Sequence, residues 1–311
     1  MTSSVPPKVP KNPPPLKPGI DNPWYDYVPY PKRPRLIWPK NARVAFYVIL
    51  HLEYYELEGP ESAVRDSRFI GEFGNYKPDF RTWTQREYGN RTGIFRVLDV
   101  LDRYQIKAGI ATNAMAAERY PFLVEQAKKR GYEFIAHGTS ANRMLSSKMS
   151  EAEEKAEIAS SIAAIEKAAV TKPTGWLGQE YGESQRTPQL LADAGLDYVL
   201  DWPNDDQPYP MKTAGRKFVS MPNQPEWDDV QQLWLRRINT TRYPDLVSDA
   251  FELLHHEGGQ VFSLSIHPWL MGMAHRIRYL DEALRRIERF GNVWHATPGE
   301  IAAYYAKTMM S

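Results

Sequence analysis

The stretch Val261-Phe262-Ser263-Leu264-Ser265-Ile266-His267-Pro268-Trp269 reads as a short strand with a histidine at its carboxyl end. Its first six residues are mostly β-branched or apolar, a turn at Gly258-Gly259 precedes them, and Pro268 cannot continue a ladder. In βα architectures the side chains at the carboxyl ends of strands face the reaction crevice, where an imidazole can titrate near neutral pH. A lone histidine is as readily a hydrogen-bonded core residue, so this reading gains weight only from what the other strand ends carry.

Outward from this strand the chain alternates strands and helices. Val44 to Leu50 is an apolar strand running into His51-Leu52-Glu53-Tyr54-Tyr55. Residues 60 to 91 are polar and aromatic without clear periodicity, which predicts a long binding loop in which Arg81, Trp83, Arg86 and Tyr88 could line a pocket. Helical spacing over Ile94 to Tyr104 is followed by a strand at Lys107 to Thr112. A helix over Tyr120 to Arg130, closed by Gly131, leads to a strand at Tyr132 to Ala136 that ends on His137. Ser150 with Glu153 forms a capping box for a long helix to Ala169. Strands follow at Gly175 to Leu177, Leu196 to Asp201 and Phe218 to Met221, a helix at Leu246 to His256, and a last helix beginning at Thr297-Pro298. Seven or so βα units in alternation predict a parallel sheet closed or nearly closed into a barrel.

Composition bounds the function. Thirty-nine basic and 38 acidic residues give a formal charge of +1 with no long run of one sign, which argues against nucleic-acid or anionic-membrane partners. There is no cysteine, so disulfides and thiolate chemistry are excluded. The N-terminus lacks an apolar signal-like run and no stretch is long enough to span a bilayer, so a cytoplasmic protein is expected. Residues 1 to 37 are rich in proline and read as an extended arm on a catalytic domain over 38–311, its first 15 residues a disordered tail. The arm's aromatic residues need cover, which points to packing on the body or on a neighbouring subunit of a dimer or tetramer.

Taken in order, four strand ends carry polar groups: Glu53, His137, Asp205 with Asp206, and His267. These segments resemble the polysaccharide deacetylase superfamily in Leu52-Glu53-Tyr54, in His137-Gly138, and in Leu264-Ser265-Ile266-His267-Pro268. The Gly175-Trp176 strand, the Asp201-Trp202 to Tyr209 turn and His267-Pro268-Trp269-Leu270-Met271-Gly272 are similar to its allantoinase and cyclic-imidase-like branch. The resemblance implies an irregular (β/α)7 barrel of the polysaccharide deacetylase type.

The departures from the family pattern shape the functional expectation. In zinc-dependent relatives one acid of the first motif and two histidines of the second hold the metal, while the other acid is the base. Here Tyr54 and Ala141 stand where the second acid and second histidine belong. Catalytic zinc usually needs three protein ligands, so no metal and no other cofactor is expected, unless His51 or Asp205 rebuilds a zinc or other divalent site. The resemblance then implies an amidohydrolase that opens a small cyclic amide, imide or ureide, with Glu53 as base, His267 as acid and His137 orienting substrate or water. Trp176, Trp202, Asp205, Asp206, Trp269 and Arg86 are the expected substrate-binding residues. Two alternatives stay open: a metal-dependent deacetylase of an N-acetylated sugar or small N-acyl compound, and a catalytically silent binding barrel.

Overall fold

Nine consecutive buried residues, Val44–Leu52, form strand β1, and most of the sheet is hung from it. The computed structural model describes residue 17, residues 21–63 and residues 77–310. After β1 come α1 (Phe80–Tyr88), α2 (Ile94–Arg103), β2 (Gly109–Thr112), α3 (Ala114–Arg119), α4 (Pro121–Lys129), β3 (Glu133–Ala136) and α5 (Glu151–Ala169). The second half holds β4 (Gly175–Trp176), α6 (Thr187–Asp193), β5 (Tyr198–Val199), β6 (Tyr209–Met211), β7 (Phe218–Ser220), α7 (Tyr243–Glu257) and β8 (Gln260–Ile266). It ends with α8 (Pro268–Met271), α9 (Ile277–Ile287), β9 (Val293–His295) and α10 (Pro298–Met309).

The strands form one curled sheet in the order β6-β7-β5-β4-β3-β2-β1-β8, parallel except for the β6–β7 pair. On one edge of β1 its carboxyl half pairs with β2 and its amino half with β9. This is the nearly closed sheet expected from the alternation and the irregular α/β barrel that the resemblance implies. The gap between β8 and β6 is stitched instead of laddered: Val261 N–H donates to Asp206 O at 2.9 Å, and Gln207 Nε2 donates to Gly259 O at 3.0 Å.

The pleat decides which side chains enter the barrel. Along β1, Val44, Phe46, Val48, Leu50 and Leu52 pack outward in the core under the helices, whereas Ala45, Tyr47 and Ile49 pack in the barrel interior. The same parity carries His51 and Glu53 inward at the strand's carboxyl end. On β8 it separates Phe262, Leu264 and Ile266 from Val261, with Ser263, Ser265 and His267 on the inner side.

The segment expected to be a loop over residues 60 to 91 departs from that expectation from Phe80 onward. Asp79 caps α1 by accepting from Thr82 N–H at 3.0 Å, and a π-helical turn over Gly89–Gly93 joins α1 to α2. Glycines at this junction permit close packing: a Cβ at Gly93 would lie 2.1 Å from Pro268 O, and one at Gly89 2.6 Å from Trp269 N. Residues 64–76 of that segment lie outside the described residues, as do the first 15 residues of the arm.

From Asn22 onward the arm packs on its own barrel. Trp24 O accepts from Lys212 N–H at 2.7 Å, Arg33 pairs with Asp205, and the buried Trp38 donates from Nε1 to Gln260 O at 2.8 Å. Tyr27 stays 87% and Ile37 53% exposed. Among the described residues no helix is long and apolar enough to cross a membrane.

Candidate active site

At the carboxyl ends of β1, β3 and β8 the inward parity brings Glu53, His137 and His267 to one cavity of about 190 Å³. The three predicted catalytic residues therefore share a site, although 214 positions separate the first from the last. His51, Gln179, Tyr181, Asp228 and Gln231 also line it. Glu53 is 5% exposed and held from several directions. Its Oε2 accepts from Tyr55 OH at 3.2 Å, and its Oε1 accepts from Gln179 Nε2 at 3.1 Å and lies 3.4 Å from His137 Nε2.

Asp229, fully buried on the segment before α7, grips His267 twice: Oδ2 accepts from the His267 backbone N–H at 2.8 Å and Oδ1 from its Nδ1 at 2.7 Å. That contact commits Nδ1–H to Asp229 and leaves Nε2 as the atom able to serve the cavity. Burial disfavours a charged imidazole, but the carboxylates of Asp229 and Asp228 outweigh it and lift the His267 pKa to about 10. For Glu53 burial likewise opposes charge, yet the His137 hydrogen bond and the positive charge of His267 hold it well below the usual carboxylate range. The cavity thus brings together an ionised acceptor and a charged donor, both buried.

His51 stacks on His267, ring centroids 3.8 Å apart at 16°, and burial together with that positive neighbour keeps its pKa well below the usual value. A neutral imidazole is the ligand form. Its Nδ1 is buried with no hydrogen-bond partner among the described residues and lies 3.8 Å from Glu53 Oε1. His137 donates from Nδ1 to Leu177 O at 2.5 Å, which turns its Nε2 toward the same oxygen. Tetrahedral zinc with bonds of about 2.0–2.1 Å sets its donors roughly 3.3 Å apart, so His51, Glu53 and His137 fit a divalent ion. The metal-free expectation rested on two surviving ligands, and the fold supplies a third. Asp205, the other candidate, lies elsewhere, paired with Arg33.

Residues 86–199, from α1 through β5, match the family model for polysaccharide deacetylase. Over this segment the chain is similar to the polysaccharide deacetylase family. Its fold is that of the Puue allantoinase crystal structure, with a TM-score of 0.80 and 24% identity over 91% of this chain and all of that one. A probable polysaccharide deacetylase from Pseudomonas aeruginosa PAO1 superposes with a TM-score of 0.78 at 23% identity, over 89% of this chain and 96% of its own. A polysaccharide deacetylase-like protein of Schizosaccharomyces pombe is 26% identical over 305 residues, 87% of this chain and 92% of that one.

In this deacetylase-type barrel the residues expected to bind substrate sit outside the cavity lining. Trp176 has the outward parity of β4 and is fully buried under the helices. Trp202 donates from Nε1 to Glu183 at 3.0 Å and meets Tyr25 of the arm edge-on. Asp205 and Asp206 belong to the seam and arm contacts. Arg86 lies over the Trp269 ring, 3.3 Å from its centroid, so this pair packs α1 against α8. Sequence reasoning missed Asp228, Asp229 and Gln179, whose helical or turn segments carry no strand-end signature. His51 carried one, since it shares the parity of Glu53.

A fourth acid, Asp201 after β5, braces the lining from behind by accepting Gly178 N–H on Oδ1 at 2.7 Å. Burial lifts its pKa from 3.8 to about 7. Between about pH 4 and 7 the folded chain therefore keeps a proton that the unfolded chain has released, and Asp201 weakens the fold as pH rises through that window. Asn at this position lacks the effect. Urea unfolding at both pH values is expected to show wild type losing ground to Asp201→Asn by a few kcal/mol, at ~1.36 kcal/mol per pKa unit. A pH-independent difference would contradict this assignment.

Proposed function

We propose that this protein is a hydrolase of non-peptide carbon–nitrogen bonds that opens the ring of a small cyclic amide, imide or ureide. The observation that carries the reading is the pairing of an ionised Glu53 with a charged, Asp229-anchored His267 in one buried cavity. An allantoinase and a polysaccharide deacetylase are among the similar proteins, and hydrolysis of a carbon–nitrogen bond is the chemistry that suits both. The cavity is smaller than the ~300–1,000 Å³ clefts of drug-sized ligands, which suits a single small ring.

In this reading Glu53 accepts a proton from water as its oxygen attacks a ring carbonyl, forming the C–O bond. His267 Nε2–H then protonates the ring nitrogen as the C–N bond breaks, leaving an open-chain acid. Each role is worth about 10²–10⁴ in rate. A divalent ion held by His51, Glu53 and His137 would, when bound, polarise the carbonyl or acidify the water. Ring opening needs less of that help than deacetylation. In a cyclic imide two acyl groups share the nitrogen lone pair, so the carbonyl is more electrophilic and the departing nitrogen less basic. We therefore place the reaction on the acid–base pair without a metal.

The donor set favours a second reading, a metal-dependent deacetylase of an N-acetylated sugar or small N-acyl compound. Hydantoins, allantoin, succinimide-type imides and N-acetylated sugars, assayed before and after chelator treatment, separate the two. Ring opening that survives the chelator within about twofold is expected. Activity confined to N-acetyl compounds, abolished by chelator and restored by zinc, would establish the second reading instead.

A further inference from the structure

Gln179 opens the tight turn after β4 and is 3% exposed. Its Nε2 donates to Glu53 Oε1 at 3.1 Å. The reverse orientation would set an amide oxygen against a carboxylate oxygen, so the contact fixes which end of the amide faces Glu53. The other end, Oε1, is then a buried acceptor with no hydrogen-bond partner among the described residues, on a side chain that lines the cavity. Buried acceptors are nearly always paired, and one left open on a residue that lines a reaction cavity points to a ligand donor.

The turn holds this acceptor rigidly. Gly178 N–H is fixed to Asp201, and Gln179 O accepts from Gly182 N–H at 2.9 Å. Glu180 and Tyr181 are held at φ 52 and 57, a conformation that L-residues keep only where the surroundings enforce it. A Cβ at Gly182 would lie 2.8 Å from Leu145 O, so the turn is wedged against its neighbour.

We propose that Gln179 selects substrates by accepting a hydrogen bond from the N–H beside the carbonyl that Glu53-activated water attacks. This makes unsubstituted imides and ureides the preferred class over their N-alkyl forms. The inference rests on the ring-opening reading above. A site built to pair with a donor rejects the analogue that lacks it far more strongly than a merely tight apolar pocket does.

The test compares kcat/KM for succinimide and N-methylsuccinimide in wild type and in Gln179→Met, which keeps length while removing both amide functions. Wild type is expected to prefer the N–H ring by about 10²-fold or more. The variant also loses the Nε2 donor to Glu53, which lowers both rates alike, but the N–H ring is expected to fall much further, so that most of the preference disappears. A role confined to packing would lower both substrates together and leave the ratio intact, which would overturn the inference. So would a wild type that opens both rings equally well, a result that does not depend on the variant folding. Hydrolysis of neither ring, nor of any cyclic compound in the wider panel, overturns the ring-opening reading and this inference with it.

Discussion

Glu53→Gln is expected to lower kcat on the ring this protein opens by about 10²–10⁴ while moving KM by no more than about threefold. The substitution keeps the shape of a side chain that is 5% exposed but removes the lone pair able to take a proton from water. The neighbours can adapt: Tyr55 OH and Gln179 Nε2 both donate to Glu53, and an amide oxygen still accepts from one of them. A KM effect alone would mean that Glu53 merely binds substrate, and near-native kcat would remove it from the chemistry. Circular dichroism and a melting curve close to wild type accompany the expected result.

Asp229→Asn is expected to damage both stability and turnover. Asp229 is fully buried and supplies both oxygens to His267, one to its backbone N–H and one to Nδ1. Removing one partner of a buried pair leaves an uncompensated charge, at a cost of about 3–5 kcal/mol. Asp228, whose Oδ1 lies 4.0 Å from His267 Nδ1, offsets part of that loss, so the lower end of the range is expected in urea unfolding. Because Asn can present its NH₂ to Nδ1, the ring loses its fixed tautomer and kcat falls by 10² or more, roughly the value of one proton-transfer role. Unfolding at the wild-type midpoint together with unchanged kcat would show that Asp229 does not support His267.

Much of this architecture is legible in the sequence because strands announce themselves by run length and by what ends them. Val44–Leu52 and Val261–Ile266 are long apolar runs, and the residues that follow, Glu53 and His267, enter the barrel by the two-residue period of the pleat. The same period places His51 beside Glu53, and it turns Trp176 outward, a consequence that a search for pocket aromatics overlooks. What sequence could not show depends on three-dimensional closure. Asp228 and Asp229 reach His267 from the turn that leads into a π-helical segment some 38 positions earlier, and Gln179 meets Glu53 across 126 positions. The run Asp201-Trp202 to Pro208 looks like a binding turn because it is polar and aromatic. In the fold those features hold the seam of an incompletely closed sheet and the arm that covers it. The helix within residues 60 to 91 is hidden similarly, because what Gly89 and Gly93 do, letting a helix meet Pro268 and Trp269 closely, exists only after packing.

The central claim is that Glu53 and His267 serve one proton-transfer sequence on one bound ring, and a double-mutant cycle tests it most directly. On the panel compound that wild type opens fastest, kcat is measured for Glu53→Gln, His267→Ala and the double variant. Residues that act as a unit are strongly non-additive, so the double variant is expected to lie within about threefold of the poorer single variant. Losses that multiply across the two sites, or a single variant that keeps near-native kcat, would contradict the assignment of the reaction to this pair.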